Sequence, residues 1–342
     1  MGLDLGEKVN VLFRITEDGN VSVQITDRDG FVVRDLISDQ PAKVGALSYE
    51  WAATDNSGEI LPSEAYAVRI RFTGKSGTDT YDPLSHFHPV YESPENPTYA
   101  RASGTLGYKL SRNARVHFQV GVSRTNPKTG KEQPAIMRTI VDREPRMGGS
   151  VVEAWNGYET GGKIYIPDLP GFFISIFAES LPENSIILTG KSEPTFYQYA
   201  LAHRPKDAIK PRAISKGDHM HHMGLTALED RSPEISVTCS NASWDENERH
   251  WKGDGPLALK VSVDSETAPF FLSQPSELQI FVDGNLSKYE TASKNPFSTS
   301  LGPLSPGEHV VTVDWVSKFG PVGVQNFKVW FPSTLNHKDG AK

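Results

Sequence analysis

Short stretches of strict apolar and polar alternation recur along this chain. In Val21-Ser22-Val23-Gln24-Ile25-Thr26 every second residue is apolar. Side chains of a strand alternate between its two faces, so this pattern buries one face and wets the other. Residues 66–72 read the same way, with Arg69 and Arg71 on the wet face, and so do 116–120, 257–261 and 278–282. Clusters of Gly, Pro, Asn and Asp separate these runs. The 342 residues include 29 Gly and 24 Pro, and short strands so punctuated predict an all-β chain of packed sandwiches. Amphipathic helix is scarce; residues 195–203 are the best candidate, and the stretch is short.

The chain also repeats itself. The first copy reads VSVQITDRDGFVVRDL and, after a gap, YEWAATDNSGEILPSEAYAVRIRF. The second opens with YKLSRNARVHFQVGV, continues through MRTIVDREP and closes with VEAWNGYETGGKIYIPDLPGFFISIF. Trp51 aligns with Trp155, Gly58 with Gly162 and Tyr66 with Phe172, and residues 125–133 (TNPKTGKEQ) insert a polar hairpin tip into the second copy. In each copy an inward Trp plugs the core, an Asp/Asn/Gly turn reverses the chain, and a Pro-rich corner feeds the last alternating strand. The pattern resembles the immunoglobulin-like module of the flagellar hook-capping protein, the FlgD-like domain. Copy one carries Asp27-Arg28-Asp29-Gly30, Trp51, Asp55-Asn56-Ser57-Gly58, Pro62 and Tyr66; it departs at Glu64, where that family has Gly. Copy two is weaker, with Phe172 at the Tyr position. A further stretch, LQIFVDG through HVVTVDWV and VQNFKVWF, resembles a common bacterial immunoglobulin-like domain. The expected architecture is three immunoglobulin-like β-sandwich domains in series at 8–76, 104–190 and 234–332. Connectors at 77–103 and 191–233 would join them, both long for a compact protein.

Composition narrows the role. Lys and Arg number 35 against 42 Asp and Glu, a net charge of −7 that argues against nucleic acid as the main partner. No apolar run approaches the roughly 18 residues of a membrane-spanning helix. The opening MGLDLGEKVNVLF shows no secretory leader, which leaves open a leader already removed. The one cysteine, Cys239, excludes internal disulfides and reads as core beside Ile235 and Val237.

The sharpest local chemistry is Asp218-His219-Met220-His221-His222-Met223-Gly224 in the second connector. Imidazoles His219, His221 and His222 with thioethers Met220 and Met223 form a candidate copper or zinc ligand set, which His203, His86, His88 or His250 would complete. The competing reading is a junction packed by these side chains, or a solvated one. His86 and His88 in Ser85-His86-Phe87-His88-Pro89 form a second candidate pair, against a reading in which Phe87 anchors the connector. Residues 245–251 make an acidic-aromatic loop, read as a cation or sugar site or as an edge pinned by Trp244 and Trp251. Asp55 and Glu59 suit Ca²⁺ in type, but their turn is too short for a full oxygen set. No nucleophile elbow, phosphate-binding loop or His-Glu-x-x-His motif is present, which disfavours an enzyme.

Large aromatics on outward strand positions mark a candidate partner-binding face: Trp330 on the last strand, Phe173 and Phe177 opposite Phe172, Ile174 and Ile176. Open sheet edges offer a second mode, by accepting a partner strand. The expected role is non-catalytic: a structural or binding protein meeting a protein or surface polymer. An extracellular or periplasmic bacterial location is implied by the resemblance alone. Metal binding and an interdomain enzyme site are the rival readings.

Overall fold

The computed structural model describes residues 2–4, 6–126, 129–190, 193–211 and 225–333. The fold is all-β, built of sandwich-like sheets as the alternation required. One sheet runs β1 (Gly2–Asp4), β15 (Ile186–Thr189), β6 (Ala65–Gly74), β3 (Gly19–Thr26) and β4 (Val32–Ala42), with β7 (Gly77–Tyr81) also on β6; it faces a two-stranded sheet of β2 (Val9–Ile15) and β5 (Gly45–Trp51). A second group stacks β12 (Glu132–Arg146), β11 (Ala114–Thr125), β14 (Phe172–Ser180) and β8 (Tyr91–Glu92) on β13 (Gly149–Ala154), β10 (Thr105–Leu110) and β9 (Thr98–Ala100). In a third, β16 (Ile235–Cys239), β19 (Leu257–Val263) and β22 (Phe297–Leu301) face a six-stranded sheet. That sheet is ordered β17 (Ser243–Asp245), β18 (His250–Lys252), β24 (Val322–Phe331), β23 (Gly307–Ser317), β20 (Ser276–Val282) and β21 (Asn285–Thr291).

Alternation translates into burial. Val21, Val23 and Ile25 are fully buried, as are Val116, Phe118 and Val120, and Leu257, Leu259, Val261 and Val263 line the third core with Cys239. Each fully buried Val, Ile or Phe contributes about 1.5–3 kcal/mol. Where alternation breaks, something covers the second face. Ala65, Tyr66, Ala67 and Val68 are all buried, because the start of β6 lies against Arg115, Leu181 and Leu225.

Described parts of both connectors are built into the sandwiches. The first supplies β7, β8 and β9. Within the second, α1 (Phe196–His203) follows a Thr195 capping box and buries Phe196, Tyr197, Tyr199 and Ala200. Ile186 and Leu188 of β15 return to the first core, so segments outside 8–76 complete it. Buried ion pairs tie the groups together. Arg115 meets Glu64 at 2.8 Å, Arg28 meets Asp230 at 2.5 Å, and Arg204 bridges Asp27 (2.7 Å) and Asp29 (2.6 Å). The second and third groups share Phe281 in one core, and Asn326 donates to the carbonyl of Met137 at 2.7 Å.

Candidate functional site

The two repeats superimpose motif by motif, and their one large difference marks the site. Trp51 Nε1 donates to the carbonyl of Thr54, and Trp155 Nε1 to that of Tyr158, both at 2.9 Å and three residues on. Asp55 gathers the N–H groups of Ser57 and Glu59, and Glu159 those of Gly161 and Lys163. Gly58 and Gly162 take the left-handed backbone (φ +89° and +69°) that closes each turn at no Cβ cost. Tyr66 meets Trp51 edge-on at 5.8 Å, while Phe172 stacks on Trp155 at 6.2 Å. By this correspondence β2 matches β10, and β5 matches β13.

The outer edge of β10 is covered. β9 runs antiparallel along it, Leu106 facing Tyr99, and the Tyr99 ring sits 5.0 Å from Trp155 while its hydroxyl contacts that of Tyr165. The matching edge of β2 pairs with nothing among the described residues; β5 is its only partner. Beside it runs a groove of about 620 Å³. One wall is the length of β2 from Val9 to Thr16, and the floor is Val68, Ile70 and Phe72 of β6, closed by Tyr81 and Asn184. An exposed edge leaves backbone N–H and C=O groups unpaired, and proteins ordinarily guard it with Pro, a bulge or several charges. β2 (VNVLFRI) has no Pro, pairs with β5 without a register shift, and carries one charge, Arg14. Leu12 on it is 73% exposed. The geometry fits an added strand whose alternate side chains enter an apolar floor.

The residues singled out from sequence are scattered. Trp330 is partly exposed on β24 between buried Val329 and Phe331, as alternation demanded. Phe177 stacks on the exposed Tyr91 at 5.3 Å, and Phe173 lies on the same strand, β14, over Gly121. His86 and His88 are both exposed, while Phe87 packs in the crevice lined by Tyr66, Arg115 and Leu225, as the anchoring reading held. His219, Met220, His221, His222 and Met223 lie outside the described residues. In the 245–251 loop, Trp244 and Trp251 meet edge-on at 5.4 Å and Lys163 sits 4.4 Å over Trp244, so these tryptophans pin the loop to the second repeat.

A cleft of about 990 Å³ lies at the junction of the three groups, lined by Arg28, Glu64, Asp142, Arg143 and Asp230 among others. Its charges are committed to one another. Arg143 contacts Asp142 at 3.1 Å, and Asp142 accepts from the N–H (2.8 Å) and hydroxyl (2.9 Å) of Ser232. Burial pushes the Asp142 carboxyl up, but His117, Arg143 and Ser232 outweigh it and hold the pKa at about 2. These groups join the sandwiches.

No protein-family model matches the chain and no curated protein sequence matches it, so the FlgD-like resemblance gains no support there. Solved structures that align with it include the fibronectin(III)-like modules of Clostridium thermocellum CbhA, at 7% identity over 100% of this chain and 94% of that one, with a TM-score of 0.23. A tetra-tandem repeat from the extending region of a large adhesion protein aligns at 11% identity over 96% and 73%, with a TM-score of 0.20. A 1.5-MDa bacterial ice-binding adhesin aligns at 8% over 97% and 94%, also at 0.20. Scores this low carry no argument about role. Among the described residues no helix is long and apolar enough to cross a membrane.

Proposed function

We propose that this chain is a non-catalytic binding protein of the bacterial exterior, three immunoglobulin-like modules at 8–76, 104–190 and 234–332 held as one body, that docks by accepting a strand. The observation that carries this reading is the bare β2 edge above its apolar groove, at the position where the second repeat lays down its own β9. That internal template defines the occupant. It is an extended segment of a partner protein, antiparallel to β2, with an apolar or aromatic residue at every second position, as Tyr99 is in β9. Backbone pairing supplies affinity and the floor residues supply selectivity. The extracellular or periplasmic placement rests on the FlgD-like resemblance.

The test is binding of biotinylated nine-residue peptides, alternating Val or Tyr with Thr, to the full chain by biolayer interferometry. Ile70→Lys puts a charge in the groove floor, and Trp330→Ala serves as the control on a distant strand. Binding lost in the first variant and kept in the second is the expected result. Binding that survives Ile70→Lys, or no binding by any alternating peptide, would sink the proposal.

A further inference from the structure

Away from the β2 groove, the turn at 55–59 and the end of α1 bring three donor groups to one point. Ligand atoms of Asp55, Glu59 and His203 all lie within 4.8 Å of one another, the one such group of three among the described residues. They come from places 144 residues apart in sequence for Asp55 and the Tyr199 that precedes His203 on its helix.

Each donor is aimed. His203 Nδ1 lies 2.9 Å from the carbonyl of Tyr199. A carbonyl only accepts, so Nδ1 is the donor here and Nε2 is the nitrogen left to ligate, the arrangement a metal-ligating imidazole uses. The ring is further held by stacking on Tyr199 at 4.1 Å. Nε2 points at Glu59 Oε2, 3.4 Å away. Two donors bound about 2.0–2.2 Å from a tetrahedral zinc ion are separated by roughly that same distance. Asp55 is buried, and its Oδ1 is occupied by Ser57 and the N–H of Glu59. Its Oδ2 accepts one bond, from the Tyr199 hydroxyl at 3.1 Å, and retains a second lone pair. Glu59 and His203 are partly exposed, which gives an ion a route in and a place for water.

We infer that Asp55, Glu59 and His203 form a zinc site with water as fourth ligand, which staples α1 to the first sandwich. Two carboxylate oxygens and one imidazole suit zinc, whereas calcium takes six to eight oxygens and no nitrogen. Zinc titration of the full chain by calorimetry at pH 7.5 tests this. His219, His221 and His222 are replaced by alanine in every sample so that the histidine-rich segment does not compete. One ion per chain is expected, bound at least about ten-fold more weakly in His203→Ala and again in Glu59→Gln, since even outer-shell partners are worth that much. An affinity unmoved by either substitution, or no zinc binding, overturns the assignment. Both residues are partly exposed, so urea midpoints without zinc should stay put and show that the variants are folded.

Discussion

Glu64 is the position at which the first repeat departs from the FlgD-like pattern it resembles, and the structure shows what stands there. Its carboxylate accepts from Arg115 Nη1 (3.0 Å) and pairs with Nη2 (2.8 Å), a two-pronged contact from the first sandwich to the second. Both side chains are about nineteen-twentieths buried, with 5% and 6% exposure. Arg115 also donates to the carbonyl of Arg143 at 3.0 Å, and Glu64 accepts from the N–H of Ala65 at 2.6 Å. Replacing Glu64 by alanine leaves a guanidinium out of water with one neutral acceptor. Breaking a buried pair on one side costs about 3–5 kcal/mol, far more than the pair is worth against an apolar replacement.

The double variant Glu64→Leu/Arg115→Met removes both charges and keeps the volume, so it should lie within about 1–2 kcal/mol of the parent. Urea unfolding followed by tryptophan fluorescence reads all four corners of the cycle. The single variants should not add, with an interaction energy of at least about 2 kcal/mol. Because the pair ties two cores, Glu64→Ala should also split one transition into two, the first sandwich melting earlier. A Glu64→Ala cost under about 1 kcal/mol, or single costs that simply sum in the double variant, would refute the claim that this pair locks the sandwiches.

Two further outcomes follow from individual groups. Asp314 is buried on β23 between Gln279 and Val324; Oδ2 accepts from the N–H of Ile136 at 2.8 Å and Oδ1 has no partner, so burial raises its pKa well above the ordinary value. The stability contribution of such a group is complete below the unfolded-state carboxyl pKa and is lost as pH rises through the folded one, about 1.4 kcal/mol for each pH unit of that window. Asp314→Asn should therefore gain on the parent between pH 4.5 and 7.5 in urea titrations, and an equal offset at both pH values contradicts it. Thr195→Ala removes the oxygen that accepts from the N–H of Gln198, and should cost about 1 kcal/mol with faster hydrogen exchange across α1.

Much of this architecture is legible in the chain. Alternation at 21–26, 116–120 and 257–261 located strands and their inward faces, and 195–203 did become the one capped helix longer than a turn among the described residues. Cys239 is core. The repeat was readable because Trp51 and Trp155, and Gly58 and Gly162, solve the same local problem: a bulky plug followed by a turn that needs a left-handed residue. The bare β2 edge was not readable, because it is a fact about what fails to arrive. Residues 98–100 sit in a stretch read as a connector, and only their pairing with β10 shows that β2 lacks an equivalent. A hint lay in VNVLFRI, an alternating strand without Pro or Lys. The Asp55, Glu59 and His203 cluster was half visible: the carboxylates share a turn, but only packing of α1 supplies the imidazole. His86 and His88 are both exposed in their loop.

The equivalent turns suggest why the repeat was worth keeping. In both copies an arginine from the strand just before the Trp strand holds the turn by a carbonyl: Arg34 of β4 donates to Asp55 O at 2.6 Å, Arg138 of β12 to Tyr158 O at 2.7 Å. With its backbone fixed this way, the turn packs against a later segment of the chain. On copy one the turn receives α1, through Tyr199 and His203. On copy two it receives the third sandwich, through Lys163 against Trp244 and a small crevice shared with Glu159, Arg249 and Lys328. The same turn thus serves in each copy as a docking platform for a segment further along the chain. Described parts of each connector are thereby caught by the sandwiches: β7 pairs with β6, β8 with β14 and β9 with β10, and α1 docks on the turn of copy one. The open β2 edge is what this economy leaves over: copy two spends a connector strand on its edge, while the strand that precedes β2, β1, is spent instead on pairing with β15. On the proposed strand-accepting role, this edge, bare among the described residues and set in a body tied by buried ion pairs, is the template a partner strand would join.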